Sequence, residues 1–296
     1  MKTFLGGALS TLERKDLAVV LRALLDRIPV LVSGDSVEAA DGVAEALVNL
    51  VPHRREVVFG SDFASHSEHE QMLDNEQNNY DEERIVFRSP SCAMLSVIQQ
   101  IKSFRGWIIA ANEHSTKRVA AVIEANKEPV VVLELVDEGI ALKPNGGLKS
   151  LSQTAFEQRL LEKVVSETEM RIERIARVLR RAAQGRVSKK LEDSLVDLRH
   201  EEERVRQSLF REQIEAFVHA AWRMLTILSR LRLLEGVGVN STISDKMLYE
   251  AIDYKGAPIQ RLLDFVKAEW SEDFTNAVEA GRARSFGDRL EGFWTT

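Results

Sequence analysis

The stretch LRALLDRIPVLVSGDSVEAADGVAEALVNLVP, residues 21–52, decides the fold of this chain. Leucines at helical spacing lead to Pro29, which ends a helix, and the run Val30-Leu31-Val32 that follows is typical of a strand buried on both faces. From residue 37 to residue 51 apolar side chains recur every three or four positions, so the strand passes through a short glycine turn into an amphipathic helix. This strand-to-helix crossover predicts a parallel α/β sheet.

The first half of the chain continues this alternation of strands and helices. Four further apolar runs predict strands: residues 56–60, 84–88, 106–111 and 130–136. Helices are expected at residues 93–104 and 117–125, and residues 140–142 are expected to form a short returning edge strand. The segment 65–83 is acidic and rich in amides, with almost no apolar residues, so we predict a long loop there.

The composition changes after Lys143, where the sequence PNGG at residues 144–147 is the clearest linker in the chain. Nothing after it has the pattern of a strand, and long amphipathic helices are expected from residue 154 onward. Trp222 lies in one of their apolar stripes and is expected in the core. We therefore predict an α/β domain over residues 1–145, with a mostly parallel sheet flanked by helices, and an all-helical domain over residues 146–296.

Composition excludes several classes of protein. A formal net charge of −6 over 296 residues argues against a general binder of nucleic acid or anionic membranes. The single cysteine, Cys92, excludes a disulfide framework, and we expect it to be buried at a helix start. No apolar run approaches the ~20 residues that a membrane span needs. We predict a cytoplasmic protein with no membrane span and no cofactor.

The turn after the opening strand is the first candidate for chemistry, because a phosphate loop joins a strand to a helix in this way. Such a loop needs several glycines, followed by a lysine and a Ser or Thr. This turn has one glycine, Gly34, and Ala40 and Asp41 stand where the lysine and hydroxyl would be. Asp35 and Glu38 add negative charge that would repel a phosphate. The sequence therefore disfavours nucleotide hydrolysis, and a dinucleotide fingerprint is also missing.

Histidines offer no clearer site. His66 and His69 lie among Glu68, Glu70 and Asp74, which are residue types that bind zinc or iron, but the expected loop contains no helix to fix their geometry. We interpret them as part of a solvated acidic loop. His114 precedes Ser115, yet no acidic partner completes a catalytic triad. No catalytic residue and no metal ligand are predicted.

An arginine-rich helix face is the remaining candidate. The spacing places four arginines of the predicted helix 154–184 on one side: Arg171, Arg174, Arg177 and Arg181. This face suits a phosphate or an acidic protein surface, and a solvated helix side laced with glutamates is the alternative. A nucleic-acid-associated factor that uses the basic helix 171–190 stays open as a hypothesis.

Several stretches resemble the central and C-terminal parts of a DENN module of the folliculin/DENN superfamily. They are RALLDRIPVLVSGDS and GVAEALVNLVP around the opening strand, GWIIAANEH at residues 106–114 and PVVVLELVDEG at residues 129–139. The resemblance covers about residues 8–165. In the last stretch Glu134 and Val136 replace two aspartates of the family's pattern, and residues 1–20 are too short for the family's N-terminal longin part.

The resemblance implies a protein that binds a Ras-like small GTPase, with a separate longin or roadblock chain completing the module. Members of the family commonly promote guanine-nucleotide exchange, and the folliculin branch can instead stimulate GTP hydrolysis with an arginine that has no counterpart located here. Recognition loops on a rigid sheet are the usual arrangement for such a surface. We therefore expect the GTPase to contact two segments, within Ser61 to Tyr80 and within Asn112 to Thr116. The expected contact residues are Asp62, His66, His69, Glu70, Tyr80, Asn112 and His114.

One further class competes with this hypothesis. A relative of RecA-like phosphate-loop ATPases that has lost its lysine would keep the crossover and the buried strands, and would act as a scaffold or regulator without hydrolysis. The order of strands in the sheet is the observation that bears on it. The sequence leaves the oligomeric state open.

Overall fold

The computed structural model describes residues 9, 11–62, 66–100, 105–125, 129–137, 139–143, 151, 153–183, 198–239 and 242–282. Its strands are β1 (Val30–Gly34), β2 (Arg55–Val58), β3 (Ile85–Ser89), β4 (Trp107–Asn112), β5 (Val131–Val136) and β6 (Gly139–Lys143). Its helices in the first half are α1 (Arg14–Leu25), α2 (Val37–Val48), α3 (His66–Asn78), α4 (Met94–Gln100) and α5 (Glu113–Ala125). The second half contributes α6 (Ala155–Ala183), α7 (Arg199–Gly236), α8 (Asp245–Ile252) and α9 (Ile259–Trp270).

The six strands form one sheet in the order β2-β3-β4-β1-β5-β6. The first five strands in this order are parallel, and β6 returns antiparallel to β5 at the edge. The opening strand is central, with Val30 aligned to Ile108 of β4 on one side and to Val131 of β5 on the other. All five of its residues are buried. The predicted mostly parallel α/β sheet followed by a helical region is confirmed.

The crossovers distribute the helices over both faces of the sheet. Because parallel crossovers are right-handed, the connection from β1 out to β2 places α2 on one face, and the connections that run back toward β5 place α3, α4 and α5 on the other. Two apolar cores match this division. One contains Leu31, Phe87 and Trp107 under α3 to α5, and the other contains Val30, Val32 and Ile108 under α1 and α2.

The helical half shares the second of these cores. Helices α6 and α7 run antiparallel, with Phe156 and Phe217 4.7 Å apart between ring centroids and Lys163 donating to Gln213 at 2.9 Å. Phe217 also packs against Phe265 of α9, at 5.0 Å. One continuous apolar core thus includes side chains of the sheet and of the helices after residue 150. Burial of this shared surface holds the two halves together.

A buried ion network, which we call the Glu269 network, joins the same two halves. The Glu269 carboxylate accepts from Arg27 Nε at 3.0 Å and from Arg54 Nε at 3.2 Å. Arg27 also donates to Glu76 of α3, and Arg54 donates to the carbonyls of Leu24 and Leu25 at 2.7 and 3.1 Å. Burial disfavours the ionised carboxyl, but the two guanidinium groups outweigh it and hold the pKa of Glu269 well below its ordinary value.

A second ion cluster lies beside it, where α1 meets α6 and α9. Arg261 of α9 donates to Glu157 at 2.6 Å and to Asp26 at 2.9 Å. Arg22 pairs with Asp26 at 2.5 Å and with Asp264 at 2.9 Å. Both arginines are buried, and each is neutralised by Asp26 of the first half together with a carboxylate of the second half.

The end of α9 closes the edge of the sheet at which the strands begin. Arg105, two residues before β4, donates to Ser271 Oγ at 2.9 Å and to the Ala268 carbonyl. Tyr80, shortly before β3, donates to Glu272. Together with the Glu269 network, these contacts cover the amino edge of the sheet, and none of them involves the carboxyl edge.

The prediction of a long loop over residues 65–83 is wrong, because residues 66–78 form helix α3. The side of α3 that faces the sheet is formed by residues spaced three or four positions apart, as on one side of a helix: His69, Met72, Leu73 and Glu76. The His69 ring packs edge-on against Phe87 at 4.5 Å and against Trp107 at 5.2 Å, and Glu76 pairs with Arg27. Two of the four buried positions are polar, so apolar periodicity does not reveal the helix.

Three smaller expectations also differ from the structure. Cys92 is exposed in a 3₁₀ turn before α4, and Trp222 on α7 is 40% exposed. Helix α5 begins four residues earlier than expected, directly after β4. The PNGG segment at 144–147 and residues 184–197 lie outside the described part of the chain.

We expect Glu269→Ala to destabilise the protein by about 3–5 kcal/mol, because it leaves Arg54 buried without a carboxylate. Urea unfolding followed by circular dichroism measures the loss. Glu83→Ala is the matched control, since it removes the carboxylate of an exposed pair with Arg55, and we expect it to cost less than about 1 kcal/mol. Equal losses in the two variants would contradict a structural role for the Glu269 network.

His53 adds a pH dependence to this region. It is partly buried, its ring lies 5.8 Å from Phe265, and both ring nitrogens are shielded from solvent without a hydrogen-bond partner in the described structure. Burial, and then the charge of Arg54, lowers the pKa of its imidazole to about 3. The folded state therefore resists a proton that the unfolded chain takes up near pH 6.5.

Below about pH 6.5, His53 should make the protein less stable by about 1.4 kcal/mol for each unit of pH, until the folded state itself takes up the proton near pH 3. The sign follows from the lowered folded pKa, because the unfolded state binds more protons in this range. We expect His53→Leu to flatten the stability profile between pH 6.5 and pH 5, a difference of ~2 kcal/mol at the lower end. Parallel profiles for the two proteins would show that His53 does not titrate on unfolding.

Candidate functional site

The topology singles out one place in the sheet as a candidate site. Ligands of open α/β sheets bind outside the carboxyl ends of the strands, where neighbouring strands send their connections to opposite faces. Here β1 connects to α2 on one face and its neighbour β4 connects to α5 on the other. The candidate site is therefore the carboxyl edge around the ends of β1 and β4.

The turn after β1 is too short to surround a phosphate. Only Asp35 and Ser36 separate the strand end at Gly34 from the first residue of α2, Val37. The Ser36 hydroxyl accepts from the backbone N–H of Ala39 at 3.2 Å, so the side chain caps its own helix. A Cβ atom at Gly34 would lie 2.9 Å from the Cβ of Leu135, so the glycine serves close strand packing. The disfavoured phosphate loop has no counterpart in this geometry.

The end of β4 is tied to β1 by hydroxyl groups. Asn112 Oδ1 accepts from the backbone N–H of Ser115 at 2.9 Å and caps α5. Thr116 Oγ1 donates to the carbonyl of Asn112 at 2.9 Å and lies 2.6 Å from Ser33 Oγ. These bonds join the start of α5 to the central strand, and they use the polar groups that would otherwise face a ligand.

A carboxylate of the chain occupies the start of the 3₁₀ turn before α4. Asp41 of α2 accepts from the backbone N–H of Ser91 at 2.9 Å and from its hydroxyl at 2.8 Å. Backbone N–H groups at such a position bind anions when they are free. The anion here is internal, so this second potential phosphate position is filled by the protein itself.

The charge of the carboxyl edge also disfavours a bound phosphate. Four carboxylates at the strand ends are exposed: Asp35, Glu38, Asp62 and Asp137. A phosphate at this edge would meet like charge from several directions. Among the residues with described positions, no group of three His, Cys, Asp or Glu side chains is arranged to hold a metal ion. The edge suits contact with a macromolecule better than binding of a nucleotide.

The predicted partner-binding residues do not form one surface. Asp62 and Asn112 lie at the carboxyl edge, and Glu70 is exposed on α3. His69 is 3% exposed under the sheet, and Tyr80 lies at the amino edge against Glu272. His66 and His114 begin or lie in the first turns of α3 and α5, and the positions of their side chains are outside the described part.

The predicted arginine face lies elsewhere, on the distal half of α6. Arg171, Arg174, Arg177 and Arg181 are exposed there, as are two apolar side chains of the same half-helix, Met170 and Val178. The sequence pattern found the arginines but did not identify the two apolar residues as part of the same surface. The helical spacing of Met170 and Val178 relative to these arginines was the sequence signal that would have identified them.

A cleft of about 550 Å³ lies between the end of α2 and α7. Its charged lining is already engaged: Arg54 belongs to the Glu269 network, and the exposed Arg204 and Arg211 pair with Glu201 and Glu215 of their own helix. The carboxyl end of α2 also opposes an anion there. The cleft therefore offers no stronger binding chemistry than the carboxyl edge.

Comparison of the chain with protein-family models, curated proteins and solved structures gives no match. In the part of the chain that the structure describes, no helix combines the length and the apolar content needed to cross a membrane. Function is therefore inferred from the residues and their geometry.

We expect Asp41→Ala to destabilise the protein by about 1–2 kcal/mol, because it removes the cap from Ser91 and leaves a partly buried N–H and hydroxyl unsatisfied. Chemical denaturation measures the change. Asp35→Ala, an exposed carboxylate in the neighbouring turn, serves as the control and should change stability by less than about 0.5 kcal/mol. If addition of phosphate restored the stability of Asp41→Ala, the edge would be an anion site after all.

Proposed function

We propose that this chain is a non-hydrolytic interaction protein that binds a Ras-like small GTPase and speeds the release of its bound GDP. The observation that carries the non-hydrolytic part is the closed turn after β1. Two residues separate strand from helix, and Asp41 occupies the nearby backbone N–H and hydroxyl of Ser91. Hydrolysis of a nucleotide needs donors and a cation around its phosphates, and this edge presents carboxylates instead.

The partner class is supported by the resemblance to the DENN module. The stretches that carry it fold as α1, β1 and α2, as β4, and as β5, which are the three adjacent strands at the centre of the sheet with their helices. Of the expected contact positions, Asn112 is exposed at the end of β4, and Asp62 and Glu70 are exposed near β2, two strands away from β4. A separate longin or roadblock chain that completes the module belongs to the same proposal.

Exchange of this kind needs no catalytic side chain on the exchange factor. A partner that binds the nucleotide-free conformation of a GTPase more tightly than the nucleotide-bound one lowers the affinity for nucleotide by the same factor. Nucleotide exchange requires instead a rigid surface on the exchange factor that holds the switch segments of the GTPase. The caps at Asn112 and Ser91 fix the loops of the carboxyl edge for that purpose.

We expect the protein to accelerate release of fluorescent GDP from at least one Ras-like GTPase of the same genome by about tenfold or more, which corresponds to ~1.4 kcal/mol of differential binding. Stopped-flow fluorescence across a panel of purified GTPases measures the rate. Glu70→Arg should reduce the acceleration, because it reverses a charge on the expected contact surface.

Glu235→Arg at the far end of α7 carries the same charge change on an exposed site and should leave the acceleration unchanged. Absence of both binding and acceleration across the panel would refute the GTPase partner. Acceleration that Glu70→Arg and Glu235→Arg reduce equally would refute the contact surface while leaving the activity.

The strand order favours a second candidate, a non-hydrolysing relative of RecA-like ATPases that serves as a scaffold. The first strand lies between the fourth and the fifth, with the third and second beyond the fourth, and RecA-like ATPases order their core strands in this way. This is an analogy of fold, and it assigns no activity by itself. The two candidates differ in the partner they predict, so the GDP-release measurement also separates them.

A further inference from the structure

The outward side of the distal half of α6 carries a surface that no described part of the chain covers. Positions 100° apart on a helix place six residues within an arc of about 120°. We call them the arginine–apolar face: Met170, Arg171, Arg174, Arg177, Val178 and Arg181. All six are exposed, with Met170 51% and Val178 64% accessible. On the other side of the helix, Ile172 and Leu179 are partly buried.

The charges of this face are largely without partners. Arg171 approaches Glu212 at 3.8 Å, and both side chains are at least half exposed. Arg174, Arg177 and Arg181 have no carboxylate within 4 Å in the described part of the chain. Residues 170–183 contain five arginines and one glutamate. Among the described residues, no acidic side chain therefore balances Arg174, Arg177 and Arg181.

Helix α7 shows what a solvated charged helix looks like in the same protein. Two of its exposed arginines pair with glutamates one turn away, Arg204 with Glu201 and Arg211 with Glu215. Such pairs at three or four residues' spacing stabilise a helix in water. The face on α6 has no such arrangement and adds two exposed apolar side chains, so simple solvation does not account for its composition.

The mixture of residue types identifies the partner's chemistry. A nucleic acid backbone is bound by positive charge alone, and the chain as a whole is acidic, with a net charge of −6. Arginine and methionine, by contrast, are enriched at protein interfaces, where an apolar contact is surrounded by charged contacts. Three turns of helix with apolar anchors eight residues apart match another helix laid alongside.

We propose that the arginine–apolar face binds an amphipathic helix of another protein whose apolar stripe is flanked by Asp and Glu. The apolar stripe covers Met170 and Val178, and the carboxylates pair with Arg174, Arg177 and Arg181. This interaction does not rest on the GTPase hypothesis, because it uses a different surface and a different test.

The probe is an 18-residue synthetic helix with leucines at positions a and d and glutamates at e and g, labelled for fluorescence anisotropy. A peptide of the same composition in scrambled order, a polyglutamate peptide of equal length and a duplex DNA are measured beside it. We expect the amphipathic helix to bind about tenfold more tightly than each of the others. Val178→Asp and the double variant Arg174→Glu/Arg177→Glu should each weaken its binding by about tenfold or more.

The double variant Arg204→Glu/Arg211→Glu makes the same change of charge on exposed positions of α7 and should leave binding unchanged. Circular dichroism of every variant establishes that the helices remain folded. The proposal is overturned if the scrambled or polyglutamate peptide binds equally well, if DNA binds more tightly, if the α7 double variant weakens binding as much, or if no binding is detected up to about 1 mM.

Discussion

Two buried arginines, Arg27 and Arg54, share one buried carboxylate, Glu269, and the arrangement of the whole chain depends on this contact. A buried charge without a partner costs several kcal/mol, so Arg54 and Glu269 do not tolerate separation, while Arg27 is held by Glu76 as well. Arg27 reaches the carboxylate from a left-handed backbone conformation, φ 55°, and its carbonyl accepts from the N–H of Gly106 at 2.7 Å. The turns that lead into β1, β2 and β4 therefore meet the end of α9 at one point.

This constraint decides which edge of the sheet stays available. Every turn in the contact lies before a strand, so the helical half covers the amino edge, and in the described part of the chain these contacts do not reach the carboxyl edge. The covered edge includes Tyr80, and for that reason Tyr80 lies apart from Asp62 and Asn112. Burial of Phe217 and Phe265 in the core shared with the sheet adds the apolar part of the same attachment.

The sequence predicted the elements whose signals are local. The crossover at residues 30–51 and the strand at 131–136 follow from apolar runs, turns and helical spacing, and both are present. Helix α3 escaped prediction because His69 and Glu76 are buried against partners that lie elsewhere in the chain: Phe87, Trp107 and Arg27. A polar residue is recognised as a core residue only when its partner is known, and sequence spacing does not supply that partner.

The candidate site likewise has features that the sequence alone predicts and features that depend on contacts between distant residues. The lack of a phosphate loop was evident from Ala40 and Asp41, since residue types alone exclude it. The role that Asp41 has instead, capping Ser91 fifty residues later, depends on where α2 and α4 lie across the sheet. The four arginines of α6 were predicted from helical spacing, whereas their exposure beside Met170 and Val178 required knowledge of which side packs against α7.

The net charge of the chain conceals two surfaces of opposite sign. The carboxyl edge is acidic, with Asp35, Glu38, Asp62 and Asp137 exposed, and the distal half of α6 is basic. A basic or neutral partner fits the first surface and an acidic one fits the second, so a single partner does not satisfy both. Both surfaces lie on elements that share one core, to which α6 contributes Phe156, Leu161 and Val164 of its proximal half, so a protein that bound both partners would bring them together. Bringing two proteins together depends on the geometry of the surfaces alone and needs no catalytic group. This is consistent with the carboxyl edge, where hydroxyl, amide and carboxylate groups are used for capping and strand packing.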